Sequence, residues 1–194
     1  MTDGGAHGSR RYRRRVQRIG STPPVRPVRP VRPVRPVRVD ELAQLPALEA
    51  AADTVFEALG IGPLPAPATA EEYAAALVVL VAGDPPVGLC RIDAVGGGAH
   101  LEQLAVHPDH ARHGLGRALL RAGCAWAAGE GYDALTLATY RDVPWNGPFY
   151  VSEGFVEVGP VDDWLVGHGR PPEDPVMGRF GVRVLMRRPR PRHL

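Results

Sequence analysis

The stretch LEQLAVHPDHARHGLGRALL, residues 101–120, decides the fold that we expect for this chain. Residues 101–106 alternate like a half-buried strand, and Pro108 then breaks the pattern. Gly114 and Gly116 open a helix whose apolar residues recur at helical spacing. A strand, a polar turn and a glycine-bearing helix start bring free backbone N–H groups and the positive end of a helix dipole together. The stretch therefore predicts an anion site suited to a phosphate or pyrophosphate.

The glycine spacing excludes two other phosphate-binding loops. A P-loop needs Lys followed by Ser or Thr after its last glycine, where this chain has Arg117 and Ala118. A dinucleotide-binding turn needs a third glycine where Leu119 stands. What remains is the form V-H-P-x-x-x-x-x-G-x-G-x-A-L-L, residues 106–120.

A second motif follows a predicted buried strand at residues 134–139. Tyr150 stands four residues before the pair Gly154 and Phe155, giving Tyr-x-x-x-Gly-Phe. In this order, the two motifs resemble those of the GNAT superfamily of acyl-CoA-dependent N-acyltransferases, over roughly residues 34–188. The resemblance implies an α/β (α+β) fold with a mixed, mostly antiparallel sheet of six to seven strands flanked by helices. Two glycine-marked turns in an ordinary α/β domain are the alternative.

Hydrophobic periodicity and turn residues predict the order of elements. Thr69 and Glu72 form a capping box at the start of one helix, and residues 160–181 are predicted to be irregular. The predicted strands are 34–39, 77–82, 87–95, 100–107, 133–139, 155–159 and 182–187, and the predicted helices are 40–58, 69–76, 114–129 and 146–152.

The resemblance implies acetyl-CoA as a co-substrate. Two positions depart from the family pattern, because Ala111 replaces a usual Arg or Gln and Val143 replaces a usual Asn. Asn146 either supplies the missing amide or caps the following helix. The backbone of Arg112, His113, Gly114, Leu115, Gly116 and Arg117 is expected to hold the pyrophosphate, with Leu104, Ala105 and Val106 pairing along the pantetheine arm.

The resemblance also implies catalytic groups. Tyr150 is expected to protonate or hydrogen-bond the departing sulfur. By the two-residue period of a strand, His100 and Glu102 share one face with Leu104 and Val106, so either could act as the base. We prefer Glu102, because a carboxylate also attracts a cationic amine. A structural ion pair with Arg91 is the alternative.

The acceptor is expected to be a primary amine of a small molecule or peptide. Segments 60–67 and 159–181 should shape its pocket, and the second contains an acidic and aromatic set suited to a cation. Ordinary solvated acids are the alternative interpretation of that set, which consists of Asp162, Asp163, Trp164, Glu173 and Asp174. No metal site is expected at His107, His110 and His113, since they share no helical face.

The first 33 residues are predicted to form a disordered arm, followed by one domain over residues 34–194. The tripeptide Val-Arg-Pro repeats through residues 25–36, which favours polyproline II. Residues 1–38 contain eleven of the 23 basic residues and one of the 21 acidic ones, so this segment carries +10 and the remainder −8. A solvated tail is favoured over a nucleic-acid-binding arm, because Tyr12 is its only aromatic residue.

The remaining features concern compartment and alternative function. The sequence contains no apolar run long enough to span a membrane and no hydrophobic core of a signal peptide. The chain is therefore expected to be cytoplasmic and to make no contact with a membrane. Cys90 and Cys124 are expected to be reduced thiols, and a homodimer is possible. The alternative function is a non-catalytic CoA-binding or sensor domain whose arginine-rich arm engages nucleic acid or another acidic partner.

Overall fold

The computed structural model describes residues 1, 33–172 and 175–191, so the predicted arm lies almost wholly outside it. Within these ranges the strands form one sheet in the order β1-β2-β3-β4-β5-β7-β6. The predicted mixed, mostly antiparallel sheet is confirmed, and its parallel pair is β4 with β5. The strands are β1 Val34–Pro36, β2 Val78–Ala82, β3 Gly88–Val95, β4 Gly98–Val106, β5 Ala134–Tyr140, β6 Val156–Pro160 and β7 Arg183–Pro189.

The helices follow the predicted order with two differences. The first part of predicted helix 40–58 is a 3-10 turn, Val39–Gln44. The segment predicted to be irregular contains two short helices, and the first has two acids in its first turn and buried residues at Val161 and Leu165. The helices are α1 Leu45–Glu57, α2 Ala70–Ala75, α3 Leu115–Gly129, α4 Gly147–Ser152, α5 Val161–Gly167 and α6 Pro175–Gly178.

The sheet has a core on each face. Leu119 and Leu120 of α3, with Tyr150 of α4, pack in the larger core. A Cβ on Gly123 would lie only 2.9 Å from the Cys90 sulfur. Because glycine has no side chain, α3 can pack this closely against β3. The opposite face is covered over β2 to β4 by α1 and α2, whose buried residues include Leu45 and Tyr73.

A register shift in β4 determines which side chains share a face. Leu101 pairs with Ile92 and Gln103 with Arg91, which leaves Glu102 as an extra residue opposite no partner. An extra residue of this kind reverses the alternation beyond it. The prediction that His100 and Glu102 share a face with Leu104 and Val106 is therefore wrong: the last two pack against the α3 core, whereas His100 and Glu102 line a cavity together.

The same shift opens the centre of the sheet. β4 and β5 pair only from Ala99 with Leu135 to Leu101 with Leu137. β4 continues to Val106, and its pairing with β3 runs the whole way. The edge of β4 facing β5 is thus left without a strand partner beyond Leu101.

Candidate active site

The turn before α3 exposes a row of backbone donors. Arg112 and Gly114 have left-handed φ values of 62° and 79°, and the first helical bond is Ala118 N–H to the Gly114 carbonyl at 3.0 Å. Among the described residues, none of the six amides from Arg112 to Arg117 donates to a backbone carbonyl. Successive N–H groups at the start of a 15-residue helix form a concave site for an anion.

The Arg117 side chain has a partner away from this turn. Its guanidinium lies 2.5 Å from the Glu153 carboxylate, which also accepts from Arg121 at 2.8 Å. Glu153 follows α4, and its side chain is 3% exposed. The hydrogen bond from Arg121 lowers the pKa of Glu153. Arg117 therefore offers the anion site its amide, while its side chain ties α3 to α4.

The unpaired edge of β4 leads directly to the row of amides. Leu104, Ala105 and Val106 lie on this edge, and a 3-10 turn, Pro108–His110, connects it to the helix start. An extended ligand arm can add to such an edge as a further strand. The predicted pantetheine-pairing residues and the predicted anion site are thus adjacent.

Tyr150 lies in the core between two other rings. Its ring centroid is 5.2 Å from that of Phe149 and 5.7 Å from that of Phe155. Burial raises the pKa of its phenol above the ordinary value, so the group keeps its proton. Asn146 occupies the N-cap position of α4, but its side chain makes no capping hydrogen bond.

On the opposite face, His100 and Glu102 line a cavity of about 190 Å³. The two predicted base candidates therefore face one space, next to the gap between β4 and β5. The other lining residues come from β5, β7, α5 and the loop after it: Ala138, Leu165, Arg170, Pro171, Pro172 and Arg183.

The surroundings of His100 fix its protonation. Its side chain is buried, and burial lowers its pKa to about 4, so the ring is neutral near pH 7. Its Nδ1 lies 2.9 Å from the Thr136 hydroxyl, which donates to the Ala99 carbonyl at 3.2 Å. Since that hydroxyl proton is already used, Thr136 accepts from Nδ1–H and leaves Nε2 as the ring acceptor. Trp164 stacks on the ring, with centroids 4.8 Å apart.

Glu102 is held by Arg170 across the cavity at 2.8 Å. Burial acts to raise the pKa of Glu102, but the hydrogen bond and charge of Arg170 outweigh it, and the pKa lies below its ordinary value. The alternative pairing with Arg91 is not formed, because Arg91 binds Asp93 at 2.7 Å.

The acidic rim expected around the acceptor differs from the observed lining. Asp162 and Asp163 lie in the first turn of α5 and are not among the lining residues, whereas Arg170 and Arg183 are. Glu173 and Asp174 lie outside the described residues. Trp164 is near the site as expected, through its stacking on His100.

Sequence reasoning missed Thr136, Glu153, Arg170 and Arg183. Thr136 and Arg183 lie on predicted strands whose sequences do not show which side chains face the site, and Arg170 comes from a stretch without periodicity. Within the described ranges no group of three or more His, Cys, Asp and Glu could hold a metal ion, and no helix there is long and apolar enough to cross a membrane. A larger cavity of about 480 Å³ at the far end of α3 includes none of the predicted site residues.

Comparison with known proteins agrees with this architecture. Residues 46–155 match the model of the family described as Acetyltransferase (GNAT) family. The chain is similar to the ribosomal-protein-S18-alanine N-acetyltransferase of Escherichia coli, with 21% identity, a TM-score of 0.56, and coverage of 84% of this chain and 96% of that one.

Two further structures have the same fold. The PaiA N-acetyltransferase of Thermoplasma acidophilum, solved in complex with coenzyme A, has 16% identity and a TM-score of 0.58 over 81% of this chain and 98% of its own. An acetyltransferase of Thermus thermophilus has 22% identity and a TM-score of 0.54 over 82% and 97%. Because the family model covers more than half of the sequence, the chain belongs to the GNAT acetyltransferase family.

Proposed function

We propose that the chain transfers an acetyl group from acetyl-CoA to a primary amine of a small molecule or peptide. The amine nitrogen attacks the thioester carbonyl carbon directly, the carbon–sulfur bond breaks, and the thiolate leaves with a proton. The observation that carries this proposal is the unpaired β4 edge beyond Leu101, which ends at six open amides. The amides from Arg112 to Arg117 suit a pyrophosphate, and the edge suits an extended amide-containing arm.

The unpaired edge also gives the oxyanion a donor. An N–H of the segment Leu104–Val106 faces the gap into which the thioester carbonyl would point. A preformed donor stabilises the charge that develops on that oxygen, and such a donor is worth roughly 10²–10³ in kcat. This assignment needs no charged side chain at the carbonyl.

Removal of the amine proton is the demanding step. An alkylammonium resembles lysine, with a pKa near 10.4, whereas the pKa of His100 is about 4. Direct transfer to His100 would be uphill by roughly 9 kcal/mol at about 1.4 kcal/mol for each pKa unit. We therefore assign His100 and Glu102 to hold the neutral amine by hydrogen bonds, with water as the proton carrier. On this assignment the acid limb of kcat/KM follows the pKa of the acceptor amine.

Tyr150 supplies the proton or hydrogen bond to the departing sulfur. Burial raises the pKa of its phenol, which keeps the group protonated at neutral pH but makes it a weaker acid than a thiol. A hydrogen bond from the phenol to the developing thiolate is therefore favoured over full proton transfer, and one preorganised donor contributes roughly 10²–10³ in kcat.

The second candidate is a non-catalytic CoA-binding or sensor domain whose arm, residues 1–33, engages nucleic acid or another acidic partner. Two observations favour it: the Arg170 guanidinium already pairs with the Glu102 carboxylate at 2.8 Å, and the Tyr150 ring packs between two phenylalanines.

For the enzyme we propose residues 1–33 as a solvated arm and residues 34–194 as the catalytic domain. We also propose a cytoplasmic location, with the monomer or a homodimer as the active form.

Thiol release separates the two candidates. The full chain is mixed with acetyl-CoA and a panel of primary amines and short peptides, and free thiol is followed with acetylated product identified by mass spectrometry. The enzyme predicts amine-dependent release. Acetyl-CoA binding without release, together with a nucleic-acid shift lost on removal of residues 1–33, would establish the sensor instead.

A further inference from the structure

The larger cavity, of about 480 Å³, lies at the end of α3 away from the six open amides. The last turns of α3, the end of α4, the start of β5 and the end of β7 form its walls, and it is partly open to solvent. None of its described lining residues is one that we assign to acetyl-CoA or to the acceptor. The proposed function therefore leaves this cavity without a role.

The described lining is positively charged. It contains three arginines, Arg121, Arg188 and Arg190, and a single acid, Glu153, which gives a net charge of +2. The two oxygens of Glu153 are already used, because Arg117 pairs with one and Arg121 with the other. In the part of the chain that the structure describes, neither Arg188 nor Arg190 forms an ion pair. Two cations at this cavity thus have no counter-charge.

Arg188 is the cation whose surroundings are least able to offset its charge. Its Nη1 is buried and has no hydrogen-bond partner among the described residues. A Cβ on Gly154 would lie 3.7 Å from its Nε. Burial raises the pKa of the nearby Cys124 thiol, while the charge of Arg188 acts to lower it. Neither a glycine nor a protonated thiol neutralises a guanidinium, so an anion beside Arg188 would stabilise the folded protein.

Arg190 lies on the same side of the chain as Arg188. Side chains two residues apart in an extended segment point in one direction, and the Arg190 N–H donates to the Asp133 carbonyl at 2.8 Å, which continues the pairing of β7 past its end. Both side chains therefore line the cavity. A pair of guanidiniums matches the oxygens of a carboxylate or a phosphate.

The remainder of the lining suits the apolar part of a ligand. Four alanines, two prolines, Tyr132 and Leu135 make up most of it. The last carbonyls of α3 are capped by the following turn, since Tyr132 N–H donates to Ala127 at 3.0 Å and Gly131 N–H to Ala128 at 3.3 Å. The helix end thus presents fewer free carbonyls that would oppose an anion.

We propose that this cavity binds a small organic anion, a carboxylate or phosphate on an apolar body. The charged group lies on Arg188 and Arg190, and the body packs against Tyr132 and Leu135. The site is separate from the one proposed for acetyl-CoA and its acceptor, and it takes no part in the proposed reaction.

Titration calorimetry of the full chain with three probes tests the charge requirement. The probes are phenyl phosphate, benzoate and benzyl alcohol, which share a ring and differ in charge. We expect both anions to bind and benzyl alcohol to bind at least about tenfold more weakly, because it brings no counter-charge. Binding by none of the three, or equal binding by all, would overturn the proposal.

Two matched arginine variants locate the bound anion. Arg188→Gln removes a guanidinium from the cavity, and we expect it to weaken binding of phenyl phosphate about tenfold or more. Arg187→Gln is the control: Arg187 is also partly buried, but alternation along β7 places it on the opposite face of the sheet. Equal effects of the two changes would overturn the proposal. If Arg188→Gln fails to fold, Arg190→Gln, at an exposed position, decides in its place.

Two further proteins separate this site from other places for the anion. Gly114→Asp alters the open amides and should leave binding of phenyl phosphate unchanged. Binding lost in Gly114→Asp but kept in Arg188→Gln would place the anion at the amides, which overturns this inference and leaves the proposed function intact. A chain ending at Pro191 should bind as the full chain does. Binding seen only after this truncation would show that residues 192–194 fill the cavity, and would also overturn the proposal.

Discussion

His100 is a neutral imidazole in a buried site, where a charged imidazolium would destabilise the folded protein. Burial lowers its pKa to about 4 from 6.5, so between these values the unfolded chain binds a proton that the folded chain does not. The free energy of unfolding therefore rises with pH in this window and falls as the pH is lowered through it. Over the full window the single group accounts for about 3 kcal/mol.

This gives a pH prediction for stability. Denaturant unfolding between pH 7 and pH 4 should show a loss for the wild type that His100→Gln lacks, with the difference approaching about 3 kcal/mol at pH 4. Because all other groups titrate in both proteins, the difference isolates His100. Parallel curves for the two proteins would mean that the folded imidazole accepts a proton as easily as the unfolded one.

Tyr150 offers a prediction about rate. Tyr150→Phe keeps the ring between Phe149 and Phe155 and removes the phenol oxygen, so we expect kcat to fall by about 10- to 1000-fold with little change in acetyl-CoA affinity. Tyr132→Phe, whose ring packs near Trp126 at 5.9 Å, is the control. If Tyr150→Phe stays within about twofold while chemistry is rate-limiting, solvent supplies the proton and Tyr150 only packs.

Among the elements, α3 and α4 are joined by one buried carboxylate. Glu153 accepts from Arg121 at 2.8 Å and pairs with Arg117 at 2.5 Å, and its side chain is 3% exposed. Replacing the carboxylate with an amide removes its charge and one of its two acceptor oxygens, so the two guanidiniums share a single neutral acceptor. Such losses cost more in buried pairs than in exposed ones.

The matched pair of variants is Glu153→Gln and Glu157→Gln. Glu157 also binds an arginine, Arg141, but at an exposed position. We expect the first change to lower the free energy of unfolding by about 1–3 kcal/mol and the second to lower it less, because water screens an exposed ion pair. Equal losses of unfolding free energy in chemical denaturation would show that the ion pairs joining α3 to α4 stabilise the protein no more than an exposed ion pair does.

The element scale also explains what the sequence could and could not predict. Glycines and apolar periodicity identify α3 and its open amides, since both signals are local. The extra residue at Glu102 leaves no local signal in the sequence. Side chains alternate between the two faces of the sheet on both sides of a bulge, but beyond it each residue lies on the face opposite to the one that simple alternation predicts. Helix α5 is seven residues long, too short for a period to emerge. Thr136 and Arg170 reach the site through tertiary pairing alone.

For the whole molecule, the repeat of Val-Arg-Pro ends inside the fold. β1 begins at Val34, and Arg35 donates to both oxygens of the buried Glu41 at 2.7 and 2.6 Å. The hydrogen bond from Arg35 lowers the pKa of Glu41 to about 2. The copy of the repeat at Val34–Pro36 is therefore part of the sheet.

Two truncations follow from that boundary. Removal of residues 1–33 should leave the melting temperature within about 2 °C and acetyl-CoA binding unchanged, since β1 stays complete. Removal of residues 1–36 deletes β1 and Arg35, while Arg38 still pairs with Glu41 at 2.8 Å, so we expect a lower melting temperature than after the shorter truncation. A large loss from the shorter truncation, measured by thermal unfolding, would show that the arm stabilises the domain.

The account depends most on acetyl-CoA binding at the open amides before α3, and titration calorimetry of two glycine variants measures that directly. Gly114 and Gly97 both have a φ of 79° and no atom within 4 Å of a built Cβ, so Asp at either position carries the same backbone strain. Gly114→Asp places a carboxylate among the amides that we assign to the pyrophosphate, whereas Gly97 lies in the distant β3–β4 turn. We predict that Gly97→Asp binds acetyl-CoA as the wild type does and that Gly114→Asp weakens binding by roughly a hundredfold or more. Wild-type affinity in a folded Gly114→Asp protein would contradict the account.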